Sequence, residues 1–234
     1  MDSLRALAVA LLLVNAGCGG GGGKRGAAGG PGGATFVMGR GSDSVRLDPA
    51  HETDGESFKV CDNLFDTLVQ YKDSTTEIEP GLATRWEHTP DGLTWTFHLR
   101  GGVRFHDGTP CNAEACVFSL SRQDSAFGNP NFKVGGPYTY WQSMAMGDIV
   151  REIRAADDST LVIVLKQRNA PFLANLAMDF CSIVSPTAAR KWGEDFFKHP
   201  VGTGPFAFVE WVKDDHITLQ RNASYWGGRR SWSG

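Results

Sequence analysis

From Gly19 to Gly33 the chain holds only glycine, two alanines, one proline, Lys24 and Arg25. Such a stretch has almost no side chain with which to bury apolar area, so it cannot join a folded core and reads as a flexible tether. It is not a phosphate-binding loop, because no strand precedes it and no Gly-Lys-Ser/Thr follows. Eleven of the 29 glycines lie before Ala34. The fold must therefore be built from residue 34 onward, and whatever precedes the tether has a separate job.

That preceding segment has the form of an address. Met1 to Arg5 carry one cation and one anion, and Ala6 to Val14 form a nine-residue apolar run. The run is too short to span a bilayer and has the length of a secretory core segment. It ends in Val14-Asn15-Ala16-Gly17-Cys18, which resembles the lipobox of bacterial lipoproteins, although Asn15 stands where an aliphatic residue is usual. Plain secretion and a buried apolar helix are the other readings of the segment. The lipobox reading gives a signal peptide over 1–17, a lipidated Cys18, and a tether over 18–33 that holds the folded part outside a membrane without inserting it.

The whole chain has 234 residues, 41% of them hydrophobic and 21% charged, with a formal net charge of −3. These values exclude a disordered chain and a polybasic nucleic-acid binder. After the N-terminus no 18 apolar residues follow one another, which excludes a polytopic helical membrane protein.

Periodicity outlines the folded part. Ala34 to Met38 reads as a short strand. Phe58, Cys61, Phe65, Leu68 and Val69 recur at helical spacing and predict a helix over Ser57 to Gln70. Leu93 to Leu99 alternates as a half-buried strand does, with His98 on its polar face. Asn112 is a suitable N-cap for a helix over Ala113 to Gln123 with a stripe of Ala113, Val117 and Leu120. Thr160 to Lys166 reads as a strand, Pro171 to Met178 as a short helix, and Ser185-Pro186 as a cap followed by a first-turn proline. Phe206 to Trp211 and Ile217 to Arg221 flank Val212 to His216 as a hairpin with a longer loop. Mixed segments in irregular order indicate α+β or interrupted α/β.

Signatures of catalysis do not appear. His51-Glu52 opens like a zincin helix, but Gly55 occupies the place of the second histidine. No Gly-x-Ser-x-Gly elbow is present. His98, His106 and Asp107 come nearest to a ligand cluster, and an exposed strand and turn explain them as well. The expectation is a non-enzyme with no catalytic residues, no metal and no cofactor. Cys61, Cys111, Cys116 and Cys181 would sit in a compartment that permits disulfides, but their number implies no pairing, and they read as small buried hydrophobes.

Strings of residues then carry a resemblance. Leu47-Asp48-Pro49, Asn63-Leu64-Phe65-Asp66-Thr67-Leu68-Val69, Glu79-Pro80-Gly81-Leu82-Ala83, Pro90-Asp91-Gly92-Leu93 and Phe97-His98-Leu99-Arg100 begin it. Phe105-His106-Asp107-Gly108-Thr109-Pro110, Ala170 to Phe180, Val201-Gly202-Thr203-Gly204-Pro205-Phe206 and Tyr225-Trp226-Gly227-Gly228 continue it. Together they resemble the family 5 extracellular solute-binding proteins, the peptide and nickel receptors of ABC importers. The likeness runs from Thr35 to Gly228. Asn129-Pro130 through Gly136 and Tyr138 to Trp141 are most similar to the dipeptide-binding branch. Ala115, where the family usually has Asp, and the cysteines at 61, 111, 116 and 181 depart from the pattern.

The resemblance implies an α/β, type II periplasmic-binding-protein-like clamshell, of which residues 34–228 form the first lobe with its inserted subdomain. It implies a ligand contact by the loop Thr53, Asp54, Gly55, Glu56 and Ser57, with an ordinary solvated loop as the other reading, and it leaves Tyr138, Tyr140 and Trp141 as secondary candidates for an aromatic wall, core packing being the reading favoured for them. The partners implied are a dipeptide or short peptide and the permease subunits of an ABC importer, with the membrane reached through the lipid anchor and no nucleic acid. A periplasmic or extracytoplasmic monomer is expected. Family members are about twice this length, so the second lobe is expected to be missing and dipeptide affinity negligible. Oligopeptide, heme, nickel and sugar stay open as ligands, and a stand-alone interaction lipoprotein that keeps only lobe one is the alternative function. After Gly228 the family continues in the style of Arg-Pro-Phe-Leu. Removing one C from CGC CCG TTC CTG gives Arg-Arg-Ser-Trp, as at Arg229 to Trp232, so 229–234 is expected to be a frame-shifted tail.

Overall fold

A computed structural model describes residues 35–127 and 138–228. The signal peptide over 1–17, Cys18 and its tether, Asn129 to Gly136 and the tail over 229–234 lie outside the described residues. Contacts divide the chain between Gly39 and Arg40. In the first unit the strand expected over Ala34 to Met38 is not formed across its described residues, Thr35 to Met38. Phe36 and Val37 are 71% and 83% exposed, so the segment has no buried face to hold a strand's alternation in register.

The second unit begins its regular structure with α1 (Gly55–Leu64), followed by β1 (Val69–Tyr71), β2 (Ile78–Pro80), β3 (Ala83–His88) and β4 (Thr94–Leu99). Next come α2 (Ala113–Ser121), α3 (Thr139–Ser143), α4 (Met146–Ile149), β5 (Val150–Asp157) and β6 (Thr160–Leu165). The last elements are α5 (Phe172–Asn175), α6 (Pro186–Trp192), β7 (Phe206–Val212) and β8 (His216–Arg221). A four-stranded sheet has the order β3-β4-β6-β5, and β1-β2 and β7-β8 form two-stranded ribbons. Every pair among these strands is antiparallel.

The predicted helix over 57–70 is corrected at both ends. Asp54 caps it two positions before Glu56, its carboxylate accepting the Ser57 N–H at 2.8 Å. At the other end Phe65 turns extended while its N–H still bonds to Cys61. Phe65, Leu68 and Val69 are buried because the strand region that follows is buried too, and over a few residues helical and extended spacing look alike. The helix expected over Pro171 to Met178 is likewise shorter, closing as α5 with a single 3-10 turn at Asp179–Cys181.

Two clusters make the core of this unit. One gathers around the sheet, with Phe97, Leu161, Ile163, Phe172 and Phe180. Strand β6 is buried on both faces after Thr160, which is why its sequence is a continuous apolar run. The second cluster joins α1, α6 and the β7-β8 hairpin through Leu47, Leu64, Phe65, Val184 and Phe196. Helix α2 lies between them. Its Cys116 and Leu120 enter the first cluster while Phe118 enters the second. The stripe expected from Ala113, Val117 and Leu120 is therefore too narrow, for Ala115, Cys116, Phe118 and Ser119 are also buried and Val117 only half so.

The strings that carry the resemblance converge on scaffold contacts. Asp66 accepts the Thr203 hydroxyl at 2.6 Å, the Tyr225 hydroxyl at 3.1 Å and the Trp226 indole N–H at 2.9 Å. Gly204 lies so close to α1 that a β-carbon there would stand 2.6 Å from the Leu64 carbonyl carbon, and Gly202 meets the same carbonyl more closely still. His106 clamps this loop, its ring bonding the Gly204 carbonyl at 3.0 Å and accepting the Gly202 N–H at 3.3 Å. Arg122 meets Asp48 with both terminal nitrogens, at 2.8 and 2.5 Å.

Candidate functional site

The loop before α1 is held by three local devices. Asp54 caps the helix, the Ser57 hydroxyl accepts the Val45 N–H at 2.9 Å, and Arg40 donates to the Glu56 carbonyl at 3.2 Å. Ser57 is thereby buried, Asp54 and Glu56 are half-buried, and Thr53 and Gly55 are left exposed. Glu56 also pairs with Lys59 at 2.7 Å. Two polar positions thus face water on a backbone that is not free to move.

Helix α3 brings two of the aromatic candidates against His51 and Phe58, which flank this loop. The His51 ring lies 4.3 Å from that of Tyr138, and the Phe58 ring meets Tyr140 edge-on at 5.8 Å. Tyr140 in turn stacks on Phe180 at 6.1 Å. It is half-buried, whereas Tyr138 is buried and burial pushes its hydroxyl up to about 12. Trp141 is 2% exposed, packs against Phe127 and Phe180, and donates to Asp124 at 3.4 Å. Of the three rings, Tyr140 is half-buried, while Tyr138 and Trp141 are held in the core.

Sequence reading passed over the acidic groups that complete this face. Glu52 is buried, and burial followed by its hydrogen bond to Asp54 and the charge of Asp54 pushes its carboxyl up to about 8. At neutral pH it therefore carries a proton, which it donates to the Asp54 carboxylate. One helical turn beyond Phe58, Asp62 hydrogen-bonds Asp179. Burial and the Asp62 charge raise Asp179 to about 7, so this pair also retains a proton near neutrality. Spacing along α1 could have put Asp62 beside Phe58. Nothing in the sequence marks Asp179 and Phe180 as their neighbours, because that contact is made by α1 against the distant 3-10 turn.

His106 and Asp107 are occupied structurally, Asp107 taking the Ser185 hydroxyl at 2.6 Å and the Thr109 hydroxyl at 2.6 Å. Among the described residues no group of three His, Cys, Asp or Glu side chains is placed to hold a metal ion. A cleft of about 470 Å³ opens between α2 and α6, bordered by Asn112, Glu114, Phe118, Thr187 and Arg190. It includes none of the eight ligand-contact candidates, and their exposed members lie instead on the α1–α3 face.

This region offers an exposed hydroxyl at Thr53, exposed backbone at Gly55 and, on α3, the half-buried ring of Tyr140. Such groups suit a small ligand with hydrogen-bonding groups. Comparison with known proteins agrees with that class. Residues 77–233 match the profile of the bacterial extracellular solute-binding proteins, family 5. The dipeptide-binding protein of Escherichia coli K12 is 44% identical over 176 residues, 70% of this chain and 33% of that protein. Heme-binding protein A of Haemophilus influenzae is 38% identical over 83% of this chain and 38% of its own length. The structure of DppA, an ABC transporter-associated periplasmic binding protein from Helicobacter pylori in complex with the peptide STSA, superposes with a TM-score of 0.74 at 46% identity. The match covers 80% of this chain and 39% of that one. A dipeptide-binding protein from Pseudoalteromonas in complex with Met-Leu gives 0.72 at 34% identity, over 78% and 38% of the two chains. This chain spans about a third of the length of its curated relatives, and no helix among the described residues is long and apolar enough to cross a membrane. The fold is that of the α/β, type II periplasmic binding proteins, and the chain belongs to the bacterial extracellular solute-binding proteins of family 5.

Proposed function

We propose that this chain is part of the substrate-binding component of an ABC importer, which captures dipeptides or short peptides outside the cytoplasmic membrane and hands them to permease subunits. Cys18, lipidated, would tether a monomeric receptor to the membrane surface. Peptide contacts fall to Thr53, Asp54, Gly55, Glu56 and Ser57, beside the aromatic cluster of Tyr138, Tyr140 and Trp141. The observation that supports this reading most is the braced loop itself: Asp54 and Ser57 spend their side chains on holding it, and Thr53 and Gly55 stay exposed, while Phe58 in the same helix meets Tyr140. An extended peptide can bond to such a backbone without ordering it first.

A dipeptide on this face alone keeps water on its other side, whereas pocket ligands bury most of their surface. The chain by itself is therefore expected to bind weakly, with a dissociation constant above about 1 mM. Titrating it with Met-Leu at millimolar concentrations and following amide NMR shifts tests both statements. Shifts centred on residues 53–57 and 140 are expected. Shifts centred on the α2–α6 cleft would overturn the site, and micromolar binding by calorimetry would overturn the weakness. Incorporation of labelled palmitate that is lost in Cys18→Ser tests the anchor separately.

A further inference from the structure

The ligand face leaves Cys111 and Cys116 without a role, and the architecture of α2 suggests one. Asn112 caps this helix, accepting the Ala115 N–H at 3.1 Å. Cys111 is therefore the residue just before the cap and Cys116 the fourth residue of the helix. At those two positions apolar side chains commonly fold onto each other and clasp the helix entry. Here both are thiols. Both are buried in the same cluster, 8% and 0% exposed, and their side chains hydrogen-bond each other. They also border the same small interior space, with Leu82, Leu99 and Val103 around it.

We propose that Cys111 and Cys116 form an intrachain disulfide, a covalent clasp in place of the apolar one at the start of α2. Membership of a family described as extracellular puts the chain in surroundings where such bonds persist. The oxidant is a disulfide-carrying compound or protein. One cysteine thiolate attacks it, breaking its sulfur–sulfur bond and releasing one thiol. The second cysteine thiolate attacks the resulting mixed disulfide and releases the other thiol, so the two cysteines are oxidised, the oxidant is reduced, and the two protons end on the released thiols. The bond to Cys116 and burial hold the Cys111 thiol well above its ordinary range, which makes it a poor nucleophile once folded. Oxidation therefore belongs to the folding chain, before α2 packs.

The test is refolding of the full chain in mixtures of reduced and oxidised glutathione, with a parallel equilibrium in guanidinium, followed by alkylation and trypsin. Residues 105–122 form one tryptic peptide that holds both cysteines, so the bond appears as a peptide lighter by two hydrogens that takes up no alkylating agent. Native structure is expected to favour the bond about 30-fold over the guanidinium state, as closure of a short loop predicts. By linkage the oxidised protein should melt roughly 5 °C above the reduced one. A doubly alkylated peptide 105–122 from the native equilibrium, or equal oxidation in both states, overturns the proposal. The paired substitution Cys111→Ala with Cys116→Val should abolish the redox-dependent shift in melting. A shift that persists in it belongs to other cysteines and also overturns the proposal. The peptide map of the unsubstituted chain decides the matter even if that variant does not fold.

Discussion

Asp48 in the scaffold and Glu52 beside the loop before α1 are almost equally buried, at 3% and 2% exposed, yet one is held ionised and the other protonated. Asp48 meets the guanidinium of Arg122, whose charge and hydrogen bonds outweigh burial and keep its carboxyl below the ordinary range. Glu52 has Asp54 as a neighbour instead and is pushed up to about 8. Asp66 is ringed by the donors of Thr203, Tyr225 and Trp226, whereas Asp179 faces another carboxyl, that of Asp62, and rises to about 7. Burial is thus not what decides. Where the fold supplies donors, a carboxylate becomes a fastening between distant strings of sequence. Where carboxyl faces carboxyl, the fold leaves a proton in place, and the contact holds only while that proton stays.

The contrast is broken most directly at Asp48. Asp48→Ala leaves the Arg122 guanidinium buried opposite a methyl group, and the expected loss is about 3–5 kcal/mol in urea unfolding. Glu52→Gln should lose almost nothing, because a neutral carboxyl is replaced by a neutral amide of the same shape. Comparable losses for the two variants would mean that burial, and not the supply of donors, sets their roles.

The pH dependence sharpens the same point with a smaller effect. Glu52 and Asp179 titrate near 4.5 and 3.8 in an unfolded chain and near 8 and 7 in the folded one. Between those limits the folded state binds more protons, so stability from these groups is complete below about pH 4 and falls as pH rises toward 8. Asp43 works in the other direction. Against burial, the Asp214 N–H and the Trp211 indole hold it at about 2, so its contribution is lost on acidification from about pH 4 to 2. The variant Glu52→Gln with Asp179→Asn should flatten the alkaline limb and gain on the order of 2 kcal/mol at pH 8. Parallel stability curves for variant and parent would show that these carboxyls are already ionised.

Much of this architecture could be read in advance, and the exceptions share a cause. Asn112 and Ser185 act as caps, Thr160 to Leu165 is a buried strand, and residues 206–221 form a hairpin, because each signal is local: a cap, a β-branched run, an alternation. The boundary between α1 and β1 could not be read, since Phe65, Leu68 and Val69 are buried by residues far away in sequence. Strands β3 and β5 expose most of their residues and carry bulges, which erases their alternation. At the proposed ligand face the loop 53–57 came from resemblance alone. Tyr140 and Phe180, and Asp62 and Asp179, meet only through tertiary packing. A shared proton between two side chains 117 positions apart has no local signature.

Thr53 and Asp54 carry the comparison to its smallest effect, within the ligand face itself. Asp54→Ala removes the cap of α1 and should cost about 1 kcal/mol, while loosening the loop that presents the backbone. Thr53 is exposed and holds nothing in place, so Thr53→Ala should move the unfolding midpoint by less than about 0.5 kcal/mol. If its hydroxyl bonds a peptide, the same change should weaken Met-Leu binding by roughly three- to tenfold in the NMR titration. Stability and affinity then separate at adjacent residues: one side chain is consumed in building the loop and the other is left for a ligand. Thr53→Ala with unchanged affinity would assign peptide contact to the backbone of Gly55, and the two effects would have to be sought there.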